Sequence, residues 1–505
     1  MEKPSKGLIA TRIVMLVLIS LGMIGFFAAV WYRVVYGDVG FDAVFYALKA
    51  GPGDVASDLL IQYILWGLLP AVVLTPSVYF FLFHFPLEVE KREEKGRRYL
   101  FPHKIAVLIS SILVVVLLTG GIFYSGLAKW AYLSLSETDI YEKEYVDPNS
   151  VSIEFPEQKR NIIYIYLESM ETTFLSEELG GGIEHTTIPE LYNLAQTNIN
   201  FSHNSMVGGG RTLSGTTWTV GALVAHTSGL PLKFTLTTED GEDQYDNFLP
   251  GVTTITDILK EQGYYQTIMF GSRGEYGGRT QFFQQHGIDK VYDLKTAYED
   301  GIVPDGYKVW WGMEDKHLIE YAKQELLEIS KGEKPFAFSM LTVDTHHIDG
   351  YLCDECENNF EAQYDNVMAC SSKRIYEFVE WIKQQDFYEN TTIVITGDHC
   401  SMDEGYISEY MQEDYIRRVY NCFINPHPEL MINDENIKNR AFATIDMFPT
   451  TLAALGCKIE GNRLGIGTNL FAGVPTLCER YEFDILSDEL AKHSEFYDKQ
   501  LMQLD

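Results

Sequence analysis

An α/β domain with a mostly parallel sheet between helices, carried behind an N-terminal bundle of three transmembrane helices, is the architecture this sequence predicts. Three observations predict it. Three long runs near the N-terminus carry no charged residue. From Ile153 onward, short apolar runs alternate with helical periodicities, the pattern of a parallel sheet covered on both faces. Two of those short runs stop at metal-binding side chains: Glu168 ends Asn161-Ile-Ile-Tyr-Ile-Tyr-Leu-Glu168, and Asp398 and His399 follow Thr392-Ile-Val-Ile-Thr-Gly397. The carboxyl end of a buried strand is where an open α/β sheet places its chemistry.

The apolar runs are Ile13–Tyr32, Leu59–Phe83 and Ile105–Leu127, each long enough to cross a bilayer as a helix. Two spans follow the first, so it reads as an anchor rather than a cleaved leader. Lys3, Lys6 and Arg12 precede the first span. Lys91, Arg92, Lys95, Arg97, Arg98 and Lys104 lie between the second and third, whereas the loop after the first is acidic. The excess of basic residues puts the N-terminus and the second loop in the cytoplasm. Everything after Leu127 is then outside, in a multi-pass cell-membrane protein. The anchor covers 1–127, an amphipathic connector 128–155, an α/β domain 156–480 and a polar helical tail 481–505. Trp130, Tyr132, Leu133, Tyr141 and Tyr145 give the connector its interfacial aromatics; a plain linker is the other reading.

A chain of 505 residues exceeds one ordinary core and calls for two or three units. A net charge of −32 excludes nucleic acid as a partner, because no surplus of Lys and Arg exists to neutralise phosphates. A phosphate-bearing substrate remains open, since a bound cation inverts the local field. Strands are expected at Ile162–Leu167, Gln266–Phe270, Phe336–Val343 and Ile393–Thr396. Helices are expected at Ile188–Thr197, Thr254–Gln262, Asp315–Ile329, Ser372–Gln385 and Asp446–Leu455. All seven cysteines fall outside by this topology. Cys353-Asp-Glu-Cys356 is a redox or zinc pair, or part of a loop disulfide made within the pair or to Cys370.

Between the two strand ends lies Gly208-Gly-Gly-Arg-Thr-Leu-Ser-Gly-Thr-Thr-Trp-Thr219, which runs into an apolar helix from about Val220. A hydroxyl at a helix N-terminus sits among unpaired backbone N–H groups, which favour an anion. A divalent cation touching that hydroxyl would make it a nucleophile. The same Gly-Thr-Thr also serves as an ordinary helix cap.

Residues 155–475 resemble the sulfatase-like extracytoplasmic domain of the lipoteichoic acid synthase and phosphoglycerol transferase family, within the alkaline phosphatase superfamily. The matching stretches are Asn161-Ile-Ile-Tyr-Ile-Tyr-Leu-Glu-Ser-Met-Glu171, Gly215-Thr-Thr-Trp-Thr-Val-Gly-Ala-Leu-Val-Ala225 through Gly229-Leu-Pro231, Leu341-Thr-Val-Asp-Thr-His-His347 and Val394-Ile-Thr-Gly-Asp-His399. The resemblance is nearest to the branch that modifies periplasmic glucans. It implies that Glu168, Thr216, Asp398 and His399 hold one divalent metal, with Thr216 also the nucleophile and Thr217 next in line. It implies that His346 and Arg279 bind the transferred group, with Arg273 and His347 as secondary candidates. Where the family has a nearby tryptophan and a histidine, this chain has Gly277 and Phe270.

Two carboxylates, a hydroxyl and an imidazole suit Mn²⁺, Mg²⁺ or Zn²⁺, and the resemblance favours manganese. The implied reaction moves glycerol phosphate from phosphatidylglycerol, through a threonine-linked intermediate, to a glycan or polyglycerolphosphate acceptor, and releases diacylglycerol. A phosphoethanolamine transferase or another phosphodiester hydrolase of this kind is the alternative. A non-enzymatic membrane sensor is the remaining reading.

Overall fold

A computed structural model describes residues 5–37, 40–43, 61–91, 94–233 and 247–503. The chain divides into two compact units, one of residues 1–41 with 55–132 and one of 42–54 with 133–505.

The first unit is built on three helices: α1 (Lys6–Tyr36), α2 (Leu69–His84, entered through a π-turn at Tyr63–Leu68) and α3 (His103–Tyr124). All three are long and apolar enough to cross a membrane. The start of the second expected span, at 59 and 60, lies outside the described residues. Small residues let α1 and α3 approach closely, with Gly121 set against the backbone of Phe26. Ile13, Val115 and Phe123 point outward, as lipid-facing side chains do. A hairpin of Pro86–Lys91 and Glu94–Tyr99 joins α2 to α3.

The second unit is organised around a seven-stranded sheet. Its strands are β1 (Asn161–Leu167), β2 (Gly209–Gly210), β3 (Tyr265–Phe270), β4 (Lys290–Tyr292), β5 (Phe336–Leu341), β6 (Thr391–Gly397) and β7 (Val419–Ile424), in the spatial order β2-β7-β6-β1-β5-β3-β4. The five strands from β6 to β4 are parallel; β7 is antiparallel to β6 and to β2. The apolar runs form central strands because both their faces are buried. On β1, Ile162, Tyr164 and Tyr166 enter one core, and Ile163, Ile165 and Leu167 enter the other. Burying those six side chains contributes on the order of 10 kcal/mol before chain entropy is counted.

Helices cover both faces: α4 (Pro189–Thr197), α5 (Thr219–Ser228), α6 (Ile255–Glu261), α7 (Asp315–Ile329), α8 (Gln363–Lys383) and α9 (Met447–Ala454). α8 begins nine residues before the expected Ser372. Its first turns bury polar side chains, Asp365 and Asn366 among them, which hid the helix from an apolar-period search. β2, β4 and β7 lie outside the expected strands, the last because its six residues mix Asn421 into an apolar run. The segment after Tyr481 is amphipathic: α10 (Phe483–Ala491) sends Leu486 and Leu490 into the same core as Tyr164.

Candidate active site

Four neighbouring strands deliver side chains to one end of the sheet. Glu168 follows β1, Asp398 and His399 follow β6, His346 lies on the loop after β5, and Arg279 lies beyond β3. The ladder sets the first three in place, since Leu167 is paired with Gly397 in register. Gly397 allows β1 and β6 to exit side by side. A Cβ there would come within 1.8 Å of the Met170 carbonyl oxygen.

The exit of β1 is fixed by hydrogen bonds from its neighbours. Thr342 Oγ1 accepts from the Glu168 N–H at 2.9 Å, and the Thr345 hydroxyl donates to the Glu168 carbonyl at 2.6 Å. Ser169 takes a left-handed backbone (φ 55°), a conformation that costs a non-glycine residue about 1 kcal/mol. In that conformation its hydroxyl donates to Glu168 Oε1 at 2.8 Å and its N–H to Asp398 Oδ1 at 2.9 Å. The buried Glu171 carboxylate accepts from the Ser401 N–H at 2.9 Å and pairs with Arg417, tying the β1 exit to the β6 exit.

Glu168, Asp398 and His399 are all buried, and their donor atoms lie within 4.8 Å of one another. Burial and the charge of Glu168 push the Asp398 carboxyl up to about 7. For Glu168 burial acts upward, but His346, His399, the Ser169 hydroxyl and Arg279 outweigh it and hold the carboxyl below its usual range. Burial lowers His399, and the two carboxylates more than reverse it, so its pKa is raised. The ring faces a carbonyl at Nδ1 (Cys400 O, 2.8 Å), which accepts only from an N–H. That assigns the proton to Nδ1 and leaves the Nε2 lone pair for the cluster.

Thr216 does not join this cluster. It is fully buried, and its hydroxyl is spent on one residue, accepting from the Leu213 N–H at 2.9 Å and donating to the Leu213 carbonyl at 3.0 Å. It closes the turn around Gly215 (φ 82°). The hydroxyl at the cluster is Thr219, the first residue of α5, at 3.4 Å from His399 Nε2 and 3.5 Å from Glu168 Oε2. Trp218 at the N-cap has no oxygen to cap the helix. Thr217 is half-buried on the same turn.

The donor set fits a divalent cation. Asp398 Oδ2 is buried and accepts no hydrogen bond. His399 Nε2 lies 3.4 Å from Asp398 Oδ2 and 3.6 Å from Glu168 Oε1. Those spacings and the two to Thr219 are longer than hydroxyl or charge-assisted hydrogen bonds. Four O and N ligands tetrahedrally placed about 2.1 Å from one centre lie about 3.4 Å apart.

His346 lies near enough to the cluster for its charge to act on Glu168. Its Nδ1 faces the His347 carbonyl at 2.8 Å, which directs Nε2 the other way. Its pKa is lowered by burial against the opposing pull of Glu168. The Trp311 ring packs against it at 4.3 Å between centroids, and the Trp310 indole N–H donates to its carbonyl at 3.1 Å. Arg279 is buried, with its guanidinium over the Phe270 ring at 4.8 Å and bonded to the Ser272 hydroxyl at 2.9 Å. Its charge is felt at Glu168 and at His346. Of the secondary candidates, His347 is buried and stacked on His346 at 4.4 Å, and Arg273 is exposed. Thr219, Glu171, Trp310 and Trp311 were not singled out by the sequence. Thr219 lies within the Gly208–Thr219 stretch, three residues after Thr216.

This mostly parallel sheet, with an acid and imidazole cluster at the carboxyl ends of its strands, defines an α/β domain of the sulfatase-like kind. The sulfatase family model matches residues 160–457, and the chain belongs to that family, within the alkaline phosphatase superfamily. It is similar to phosphoglycerol transferase I of Xanthomonas euvesicatoria pv. vesicatoria, 29% identical over 348 residues, which cover 66% of this chain and 46% of that protein. It is 28% identical to phosphoglycerol transferase I of Escherichia coli over 343 residues, covering 65% of this chain and 41% of the other. The chain thus spans less than half the length of these curated relatives. A solved structure of the lipoteichoic acid synthase LtaP from Listeria monocytogenes aligns with a TM-score of 0.49 at 18% identity, over 64% of this chain and 79% of that one.

Proposed function

We propose that this chain is a membrane-tethered phosphoglycerol transferase, and that Thr219, rather than Thr216, is its nucleophile. The observation that carries the reading is the Thr219 hydroxyl at the N-terminus of α5, within 3.5 Å of both Glu168 and His399. Thr219, Glu168, Asp398 and His399 would hold one divalent ion, with Mn²⁺ first and Mg²⁺ or Zn²⁺ as the others. When bound, such an ion supplies the positive charge that acidifies the hydroxyl and balances the phosphoryl oxygens.

The chain's own residues do the rest. Thr219 Oγ1 attacks the phosphodiester of phosphatidylglycerol, and the bond to the diacylglycerol oxygen breaks. A glycerophospho-threonine results. The first turn of α5 turns N–H groups toward the phosphoryl oxygens, and Arg279 adds a fixed positive charge beside them. His346 moves the proton at Nε2: when protonated it hands one to the departing diacylglycerol, and when neutral it takes one from the incoming acceptor hydroxyl. A glycan or glycerolphosphate-polymer hydroxyl completes the transfer. By the basic loops the N-terminus is cytoplasmic and this domain extracytoplasmic, where the three apolar helices tether it to a bilayer that holds the donor.

The test is diacylglycerol release by the full chain from vesicles containing phosphatidylglycerol or phosphatidylethanolamine, with Mn²⁺ present. Release from phosphatidylglycerol, lost in Thr219→Ala, is expected. Release from phosphatidylethanolamine alone would replace the donor, and undiminished release by Thr219→Ala would remove the nucleophile.

A further inference from the structure

Three cysteines meet where the loop that follows His346 lies against α8. Cys356 is bonded to Cys370 of α8. Cys353, a buried thiol, holds its Sγ 3.3 Å from the Cys356 Sγ. The CxxC spacing folds the loop back on itself, with the Cys356 N–H donating to the Cys353 carbonyl at 3.2 Å. Two donors point at the Cys353 sulfur: the Arg374 guanidinium at 2.9 Å and the Glu355 N–H at 3.4 Å. The two donors hold that sulfur in place beside the Cys356 sulfur. Arg374 stands four residues after Cys370, so one face of α8 presents both the bonded partner and the cation. Glu314 and Asp354 also lie near Cys353, but both are paired with Lys316.

We propose that Cys353, Cys356 and Cys370 form a thiol–disulfide exchange centre. The Cys353 thiolate attacks the Cys356 sulfur, the Cys353–Cys356 bond forms and the Cys356–Cys370 bond breaks. Cys370 leaves as a thiolate and takes up the proton that Cys353 gave away. One disulfide is exchanged for another, so no oxidant or reductant is consumed. The step moves a covalent staple. In one isomer the loop leading from His346 is tied to α8 at Cys370. In the other it closes on itself and α8 is released. Because the attack is intramolecular, the burial of Cys353 protects it from outside thiols without hindering the exchange.

The experiment is disulfide mapping of the full chain in detergent, acid-quenched at intervals and then digested and mapped by mass spectrometry. The wild type is expected to hold both Cys356–Cys370 and Cys353–Cys356, never both in one molecule. Cys353→Ser is expected to hold only the first pair, and Cys370→Ser only the second. In Cys370→Ser the amides of 348–356 are expected to exchange faster than in Cys353→Ser, since the tie to α8 is gone. A wild type that shows only Cys356–Cys370 at all times, together with two free thiols in Cys370→Ser, would overturn the proposal. So would three reduced cysteines on a co-purifying zinc ion.

Discussion

The two halves of the candidate site reach it by different routes. Glu168, Asp398 and His399 arrive on strand ends, and paired ladders place them to within the reach of one another. Thr219 arrives on a loop of glycines and hydroxyls, where each turn is set by local bonds such as those between Thr216 and Leu213. A strand end can be read from the sequence, because the apolar run stops where the chemistry starts. A loop hydroxyl cannot be chosen by counting, because three threonines in four residues differ only in which way each turn faces.

The largest effect should separate these threonines. Thr219→Ala is expected to cut diacylglycerol release by about 10³-fold or more, as loss of a nucleophile does. Thr216→Val should keep activity within about tenfold and instead cost about 1–3 kcal/mol of stability, because a buried Leu213 N–H loses its acceptor. Matched activity and thermal-unfolding assays on the two variants check both. On the strand side, Gly397→Ala should lower the unfolding temperature sharply. Its Cβ would meet the Met170 carbonyl at 1.8 Å, a clash of the kind that costs about 3 kcal/mol or more.

A smaller effect tests the groups that position the ligands. Ser169→Ala removes the hydroxyl on Glu168 Oε1 and should weaken Mn²⁺ binding by about tenfold, measured by calorimetry, with the fold retained.

The last effect probes where the two routes meet. His226, on α5, is buried against the Tyr164 hydroxyl of β1 at 3.1 Å, and burial lowers its pKa to about 3. The folded state therefore keeps it neutral while the unfolded state protonates it below about pH 6.5. Its contribution is fully present above that pH. It is lost as pH falls toward 3, by about 1.4 kcal/mol per unit. Denaturant titrations of His226→Gln between pH 4 and 7 should show a shallower loss than the wild type.

Much of the fold was legible because β1, β3, β5 and β6 are short, mainly apolar or β-branched runs with both faces buried. β7 and the start of α8 were not, because buried Asn421, Asp365 and Asn366 are satisfied by hydrogen bonds that sequence periodicity does not register. The C-terminal segment looked polar, yet its helix braces the Gly208–Thr219 loop: Ser487 accepts from the Ser214 N–H at 3.0 Å, and Phe483 lies under the Arg211 guanidinium. Glu171 was visible as an acid after an apolar strand. Its partner Arg417 lies far along the chain, so only the fold shows the two together. The sequence left Cys353 and Cys356 as a redox or zinc pair, or as part of a loop disulfide within the pair or to Cys370; the structure holds the Cys356–Cys370 bond with the Cys353 sulfur beside it.

The most direct measurement is the site of the covalent intermediate. The full chain with Mn²⁺ and phosphatidylglycerol, denatured before an acceptor is added, should carry one glycerophosphate group, and peptide mapping should place it on Thr219. The same adduct on Thr216 or Thr217, or transfer without any adduct, would contradict the account.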